Sequence, residues 1–280
     1  MKRCFIAFMF AAGLLASCSD GGKMSLPIHL GEETDTTNVS ADSASLQDEL
    51  IAGEPMSVAV DELFDDFIFN FASNRRLQME RIKFPLMVIA GDKTDSISRS
   101  KWKMEYFFMK QDYYTLIFQS QQEMEQLNDT SLQEAVVEKI FLDDDLVRQY
   151  HFSRRSGRWM LYEIRDQLLP RNPNAAFLAF YKQFVADSLF QHESLAAQID
   201  FSGPDPDDDF QQIEGMITPD FWDAFRPDFP MGMLYNIVYG HPQSPTGQKI
   251  LVLRGIANGL EVEVTFQLQH GRWKLVKLTT

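Results

Sequence analysis

Phe64-Asp65-Asp66-Phe67-Ile68-Phe69-Asn70-Phe71 and Phe177-Leu178-Ala179-Phe180-Tyr181-Lys182-Gln183-Phe184 are the two stretches that decide the architecture. In the first, Leu63, Phe64, Phe67, Ile68 and Phe71 fall on one helical face; in the second, Phe177, Tyr181 and Phe184 do. Phe64, Phe67 and Phe71 recur a constant 113 residues later, as Phe177, Phe180 and Phe184. Gln78 and Glu80 keep that register, meeting Gln191 and Glu193. Far downstream, Phe152 and Gly157-Arg158-Trp159 recur as Phe266 and Gly271-Arg272-Trp273, now 114 residues apart. Two landmarks repeating at nearly one spacing point to an internal duplication. The middles match poorly and must carry compensating insertions and deletions.

Each Gly-Arg-Trp belongs to a hairpin. Arg148–Phe152 and Trp159–Ile164 flank Ser156-Gly157, and Glu261–Gln269 and Trp273–Leu278 flank His270-Gly271. A residue followed by Gly marks a tight turn that needs positive φ. Further strands are expected at Tyr113–Gln119, Val136–Leu142, Leu234–Tyr239 and Lys249–Ile256. Arg171 to Asn174 reads as a short linker, with Asn174 capping the second long helix. Arg158 and Arg272 follow the turns and should point to solvent, while Trp159 and Trp273 should pack under the helices.

A long N-terminal helix on a curved antiparallel sheet, closed by a Gly-Arg-Trp hairpin, resembles the nuclear transport factor 2-like, cone-shaped α+β superfamily. It is also similar to a Bacteroidetes lipoprotein family of unknown function on that fold. The resemblance covers residues 58–168 and 173–280, read as two tandem domains. It implies a concave sheet closing a pocket against a helix. It implies no activity, because that fold hosts isomerases, dehydratases, transport factors and bare dimerisation modules.

The N-terminus predicts delivery. Lys2 and Arg3 precede an apolar run from Cys4 to Leu15, the length of a signal peptide core and too short to span a bilayer. Leu15-Ala16-Ser17-Cys18 resembles the lipobox of bacterial lipoproteins. That resemblance implies a signal peptide over residues 1–17 and Cys18 as the acylated, palmitate-bearing N-terminus. An ordinary secretory signal with a chance Cys, or a short membrane anchor, is the competing reading. Residues 18–57 contain no aromatic and are rich in Ser, Thr, Gly and acids. Such a segment buries too little apolar surface to offset chain entropy, so it reads as a disordered acidic tether reaching on the order of 35 Å. Lipid chains would hold the protein at a bacterial membrane of the cell envelope, with the outer membrane expected and the periplasmic or surface face left open.

Net charge is −14, and removal of Lys2 and Arg3 would take it to −16. That repels phosphate backbones, and the basic residues form only isolated pairs, so nucleic acid is excluded as a partner. The only cysteines are Cys4 and Cys18, which leaves no intrachain disulfide after processing.

Catalytic signatures are missing. No nucleophile elbow, phosphate loop or dinucleotide fingerprint occurs, so no cofactor is expected. His29, His151, His192, His241 and His270 show no metal-ligand spacing. The Asp205, Asp207, Asp208, Asp209 cluster has Phe210 and Met216 where a calcium loop needs Gly and a bidentate acid, so it reads as a solvated loop; Asp143-Asp144-Asp145 reads as a turn. An acid–base site of the cone type would draw on Tyr113, Tyr114, Tyr235, Tyr239, Asp220, Trp222 or His241. Strand aromatics are core more often than pocket wall. No catalytic, ligand-binding or metal residue is assigned; Cys18 is the one site, for lipid attachment. The expectation is a non-enzymatic envelope module that binds a partner protein or a small ligand. A cone-fold isomerase or dehydratase and a purely structural scaffold are the alternatives.

Overall fold

The computed structural model describes residues 61–205, 208–240 and 246–280. The expected signal peptide and tether, Cys18, His29 and His241 lie outside the described residues, as does Asp207 of the acidic cluster.

Each half begins with helices. The first has α1 (Phe64–Ser73) and α2 (Arg75–Arg81); the second has α3 (Ala175–Ala186) and α4 (Ser188–Glu193). The single long helix expected in each half is therefore two. Asn74 and Asp187, again 113 apart, adopt extended backbone and break the run. The Asn74 side chain accepts from Leu77 N at 3.1 Å, and Asp187 accepts from Leu189 N and Phe190 N. Each is the N-cap of the helix that follows, which stabilises the break by about 1 kcal/mol. Asn174, expected as a cap, makes no capping bond. Its side chain instead accepts from Gln119 Nε2 and Lys249 Nζ inside the protein.

Six strands follow in each half: β1 (Ile82–Ala90), β2 (Lys93–Ile97), β3 (Tyr113–Phe118), β4 (Glu134–Phe141), β5 (Leu146–Arg155) and β6 (Arg158–Leu168), then β7 (Leu195–Asp205), β8 (Asp208–Ile217), β9 (Met233–Tyr239), β10 (Gln248–Gly255), β11 (Glu261–Gln269) and β12 (Arg272–Thr279). Both Gly-Arg-Trp turns have the backbone they require, with φ of 51° and 77° at Ser156 and Gly157 and 50° and 79° at His270 and Gly271. The sheets are mixed rather than antiparallel. β1 runs parallel to β6, and β7 parallel to β12. A tight hairpin enforces antiparallel pairing, but these partners are joined by most of a half, so the constraint is absent. Asp208 and Asp209, expected in a loop, begin β8.

The two sheets run β2-β1-β6-β5-β4-β9 and β8-β7-β12-β11-β10-β3. They share one order, and the sixth strand of each comes from the other half. Residues 58–168 and 173–280 thus do not each close a sheet alone: β3 extends the second sheet and β9 the first. By their pairing with β10 and β4, residues 113–118 and 233–238 are equivalent at an offset of 120, against 113 in the helices. Where β3 and β9 meet, Thr115 Oγ1 donates to Tyr235 O at 2.5 Å and Ile117 N to Asn236 Oδ1 at 2.8 Å.

The cores are aromatic and repeat. Phe64, Phe67 and Phe71 surround Phe152 at 5.4, 5.8 and 5.3 Å. Phe177, Phe180 and Phe184 surround Phe266 at 5.3, 5.6 and 5.3 Å. Burying each ring contributes roughly 1.5–3 kcal/mol. No helix among the described residues is long and apolar enough to cross a membrane.

Candidate functional site

The space under the helices is where a cone-type active site would lie. Tyr114, Tyr235 and Tyr239 are buried on the exchanged strands and Trp222 is fully buried. Tyr113 donates to Asp228 O at 2.9 Å. Asp220 is exposed in the turn Pro219–Phe221. Tyr114, Tyr235 and Tyr239 thus share one core, whereas Tyr113 and Trp222 belong to the other and Asp220 to neither. His192, half-buried, stands 3.5 Å from the exposed Asp223. His151, on β5, has its pKa lowered by burial and then by Arg165. Among the described residues no group of three or more His, Cys, Asp or Glu could hold a metal.

Two acid–tyrosine pairs do form, through acids that the sequence does not single out. Tyr239 Oη donates to Asp65 Oδ1 at 2.5 Å, and Tyr150 Oη to Glu105 Oε2 at 2.8 Å. Burial, then the Asp65 charge, pushes the Tyr239 phenol well above its usual range. Burial likewise raises the Asp65 carboxyl, against the Tyr239 bond and Arg254. Tyr114, buried close by, is pushed up to about 12 by burial and then by Asp65. The phenol and carboxylate satisfy each other, and the Phe64 and Phe118 rings lie 6.3 and 6.4 Å from the Tyr239 ring. No sequence pattern links Asp65 to Tyr239; the exchange of β9 joins them.

A second repeated device holds each helix pair to its half. Gln78 donates to Phe71 O and Glu105 O and accepts from Trp102 Nε1 at 3.1 Å. Gln191 donates to Phe184 O and accepts from Trp222 Nε1, also at 3.1 Å. Trp222 is thus a structural partner of Gln191, and its indole N–H is already used.

The halves also diverge beside the repeated Trp. In the first half, Arg81 and Asp61 form a bidentate ion pair at 2.7 Å, each side chain 7% exposed. The guanidinium also donates to Trp159 O and lies 5.9 Å over the Phe67 ring, and Asp61 accepts from Trp159 N. Trp159 is 0% exposed. By the helix offset of 113, Arg81 becomes Ser194 and Asp61 becomes Asn174. With both members of the pair gone, a groove of about 580 Å³ opens between α3, α4 and the β11–β12 turn. Phe180, Phe190 and Trp273, all partly exposed, line it together with Ala179, Arg272 and Lys274. Trp273 still packs on Phe177 at 5.5 Å and on Phe180 at 6.4 Å, as expected of the shared Trp. Arg158 and Arg272 are both exposed, as expected. Trp273 was legible as a repeat position; that it borders a groove was not, because the groove arises from what its neighbours lack.

A family model described as "Domain of unknown function (DUF4348)" matches residues 43–280. A crystal structure described as that of an NTF2-like protein from Bacteroides fragilis shares 39% sequence identity with the chain, with a TM-score of 0.74. The match covers 80% of this chain and 98% of that one. No curated protein matches.

Proposed function

Because this chain belongs to the family of the domain of unknown function DUF4348, we propose that it is a lipid-anchored binding module of the bacterial cell envelope that performs no chemistry of its own. In this reading Cys18 carries the lipid, residues 18–57 are the tether, and 58–168 and 173–280 are tandem nuclear transport factor 2-like domains that trade one strand. The occupant is a small ligand or part of an envelope protein, and the second half supplies the site.

One observation carries the reading. Both spaces between helix and sheet are packed with phenyl rings, while the groove beside Trp273 is open at a size typical of ligand sites. The test is a thermal-shift screen of the lipidated protein against envelope metabolites, glycans and lipids. A ligand should raise the midpoint by mass action. A flat response across a broad library contradicts ligand binding. For the anchor, Cys18→Ala should abolish palmitate labelling and leave unprocessed precursor; normal processing contradicts acylation there.

The acid–base alternative rests on the Asp65–Tyr239 pair. It requires a substrate to separate two groups that are hydrogen-bonded to each other. Asp65→Asn should then abolish any turnover found; unchanged turnover removes this reading.

A further inference from the structure

Building on the groove assigned above, we infer that its ligand is an amphipathic small anion: an apolar body lying on Phe180, Phe190 and Trp273, with an acidic head at Arg272.

The floor decides the body. Three partly exposed aromatic side chains converge on one concavity, and water is held there at a cost that an apolar ring or acyl segment relieves. The first half shows the same place in its closed form. There Phe67 and Trp159 are covered by the chain's own Arg81, whose charge is balanced by Asp61.

The charges decide the head. Loss of Asp61 removes the carboxylate that would repel an anion. Its counterpart, Asn174, is a neutral amide turned toward Lys249. Loss of Arg81 removes the plug. Two cations then stand at the groove, Arg272 and Lys274, against the single acid Glu193. Lys274 Nζ donates to the carbonyls of Glu193 and Leu195, which fixes its charge at the C-terminal end of α4. The Arg272 guanidinium has no hydrogen bond or ion pair among the described residues, and it is exposed at the groove. In a chain of net charge −14 this is a local excess of positive charge over an apolar floor. A cationic ligand could use the aromatic faces, but it would meet Arg272 and Lys274 at once.

The experiment is calorimetric titration of the lipidated full-length protein with three probes: 1-naphthoate, the neutral isostere 1-naphthalenemethanol, and decanoate. Naphthoate should bind at least tenfold more tightly than naphthalenemethanol. Arg272→Glu should weaken naphthoate by about tenfold or more and leave naphthalenemethanol unchanged. Ala179→Trp, at an exposed helix position lining the groove, should abolish binding of all three. Tighter decanoate than naphthoate supports the proposal with an acyl source; the reverse supports it with an aromatic acid. Equal binding of naphthoate and naphthalenemethanol, indifferent to Arg272→Glu, overturns the anionic head while the groove remains a site. Binding of none of the probes, or binding that persists in Ala179→Trp, overturns the inference and the groove together.

Discussion

Asp61→Asn removes one charge from the plug of the first half and leaves its shape nearly intact. In the native protein the Asp61 carboxylate receives both terminal nitrogens of Arg81 at 2.7 Å and Trp159 N at 3.0 Å. Both side chains are 7% exposed, so solvent cannot replace the lost charge. Breaking one member of such a pair typically costs 3–5 kcal/mol, because the remaining guanidinium stays buried without a counter-ion. For a protein of this size about 1 kcal/mol lowers the melting midpoint by roughly 2–4 °C, so a fall of about 6–20 °C is expected. The pH dependence has a definite sign. Burial alone would raise the Asp61 carboxyl, but the Arg81 and Trp159 bonds hold it below 3.8. The pair's contribution is therefore present above the unfolded carboxyl's pKa and is lost as pH falls through the lower folded value. Thermal unfolding of the native protein, Asp61→Asn, Arg81→Ser and the double variant, at neutral and acid pH, measures all of this. The double variant reproduces the neutral pair of the second half, Asn174 and Ser194, and should recover most of the loss. A single-variant cost below about 1 kcal/mol, or a double variant no better than either single one, refutes the reasoning.

Gln78→Ala and Gln191→Ala should each strand an indole N–H, part-buried at Trp102 and fully buried at Trp222, together with one or two main-chain carbonyls, costing about 2–3 kcal/mol in urea unfolding; a loss under 0.5 kcal/mol contradicts the pairing. Phe152→Ala should cost about 3–5 kcal/mol, because three helix rings close on that one side chain; a neutral result contradicts the aromatic core. Burial lowers Lys249 from 10.5 to about 8, so between those values the unfolded chain binds more protons than the folded one. The stability of the native protein relative to Lys249→Met should therefore rise as pH goes from 8 to 10.5. A flat difference between the two proteins means that Lys249 is not desolvated.

β3, β4, β9, β10, β11 and β12 could be located within two residues from the chain alone, and β5 and β6 within four. β1, β2, β7 and β8 could not. β2 is Lys-Thr-Asp-Ser-Ile with four exposed positions, β1 contains Pro85, and β7 runs through Gly203-Pro204 into the Asp cluster. Those features read as loop, and the neighbouring strand supplies the order they lack. The exchange of β3 and β9 was invisible for another reason. Alternation tells which face of a strand is buried and says nothing about which strand lies beside it. The helix breaks were closer to hand, since Asn74 and Asp187 are capping residues at the same offset as the Phe pattern. The groove lay in that register too. Arg81 opposite Ser194 and Asp61 opposite Asn174 are repeat positions where chemistry changes while the surrounding rings persist. Asp65 and Tyr239 carried no such mark, being 174 residues apart in opposite halves.

Hydrogen–deuterium exchange with and without a ligand that raises the melting midpoint tests the proposed site most directly. Slowed exchange should be confined to residues 179–194 and 271–274. Protection centred instead on residues 113–118 and 233–239, between the exchanged strands, would place the ligand in the interior and contradict the groove.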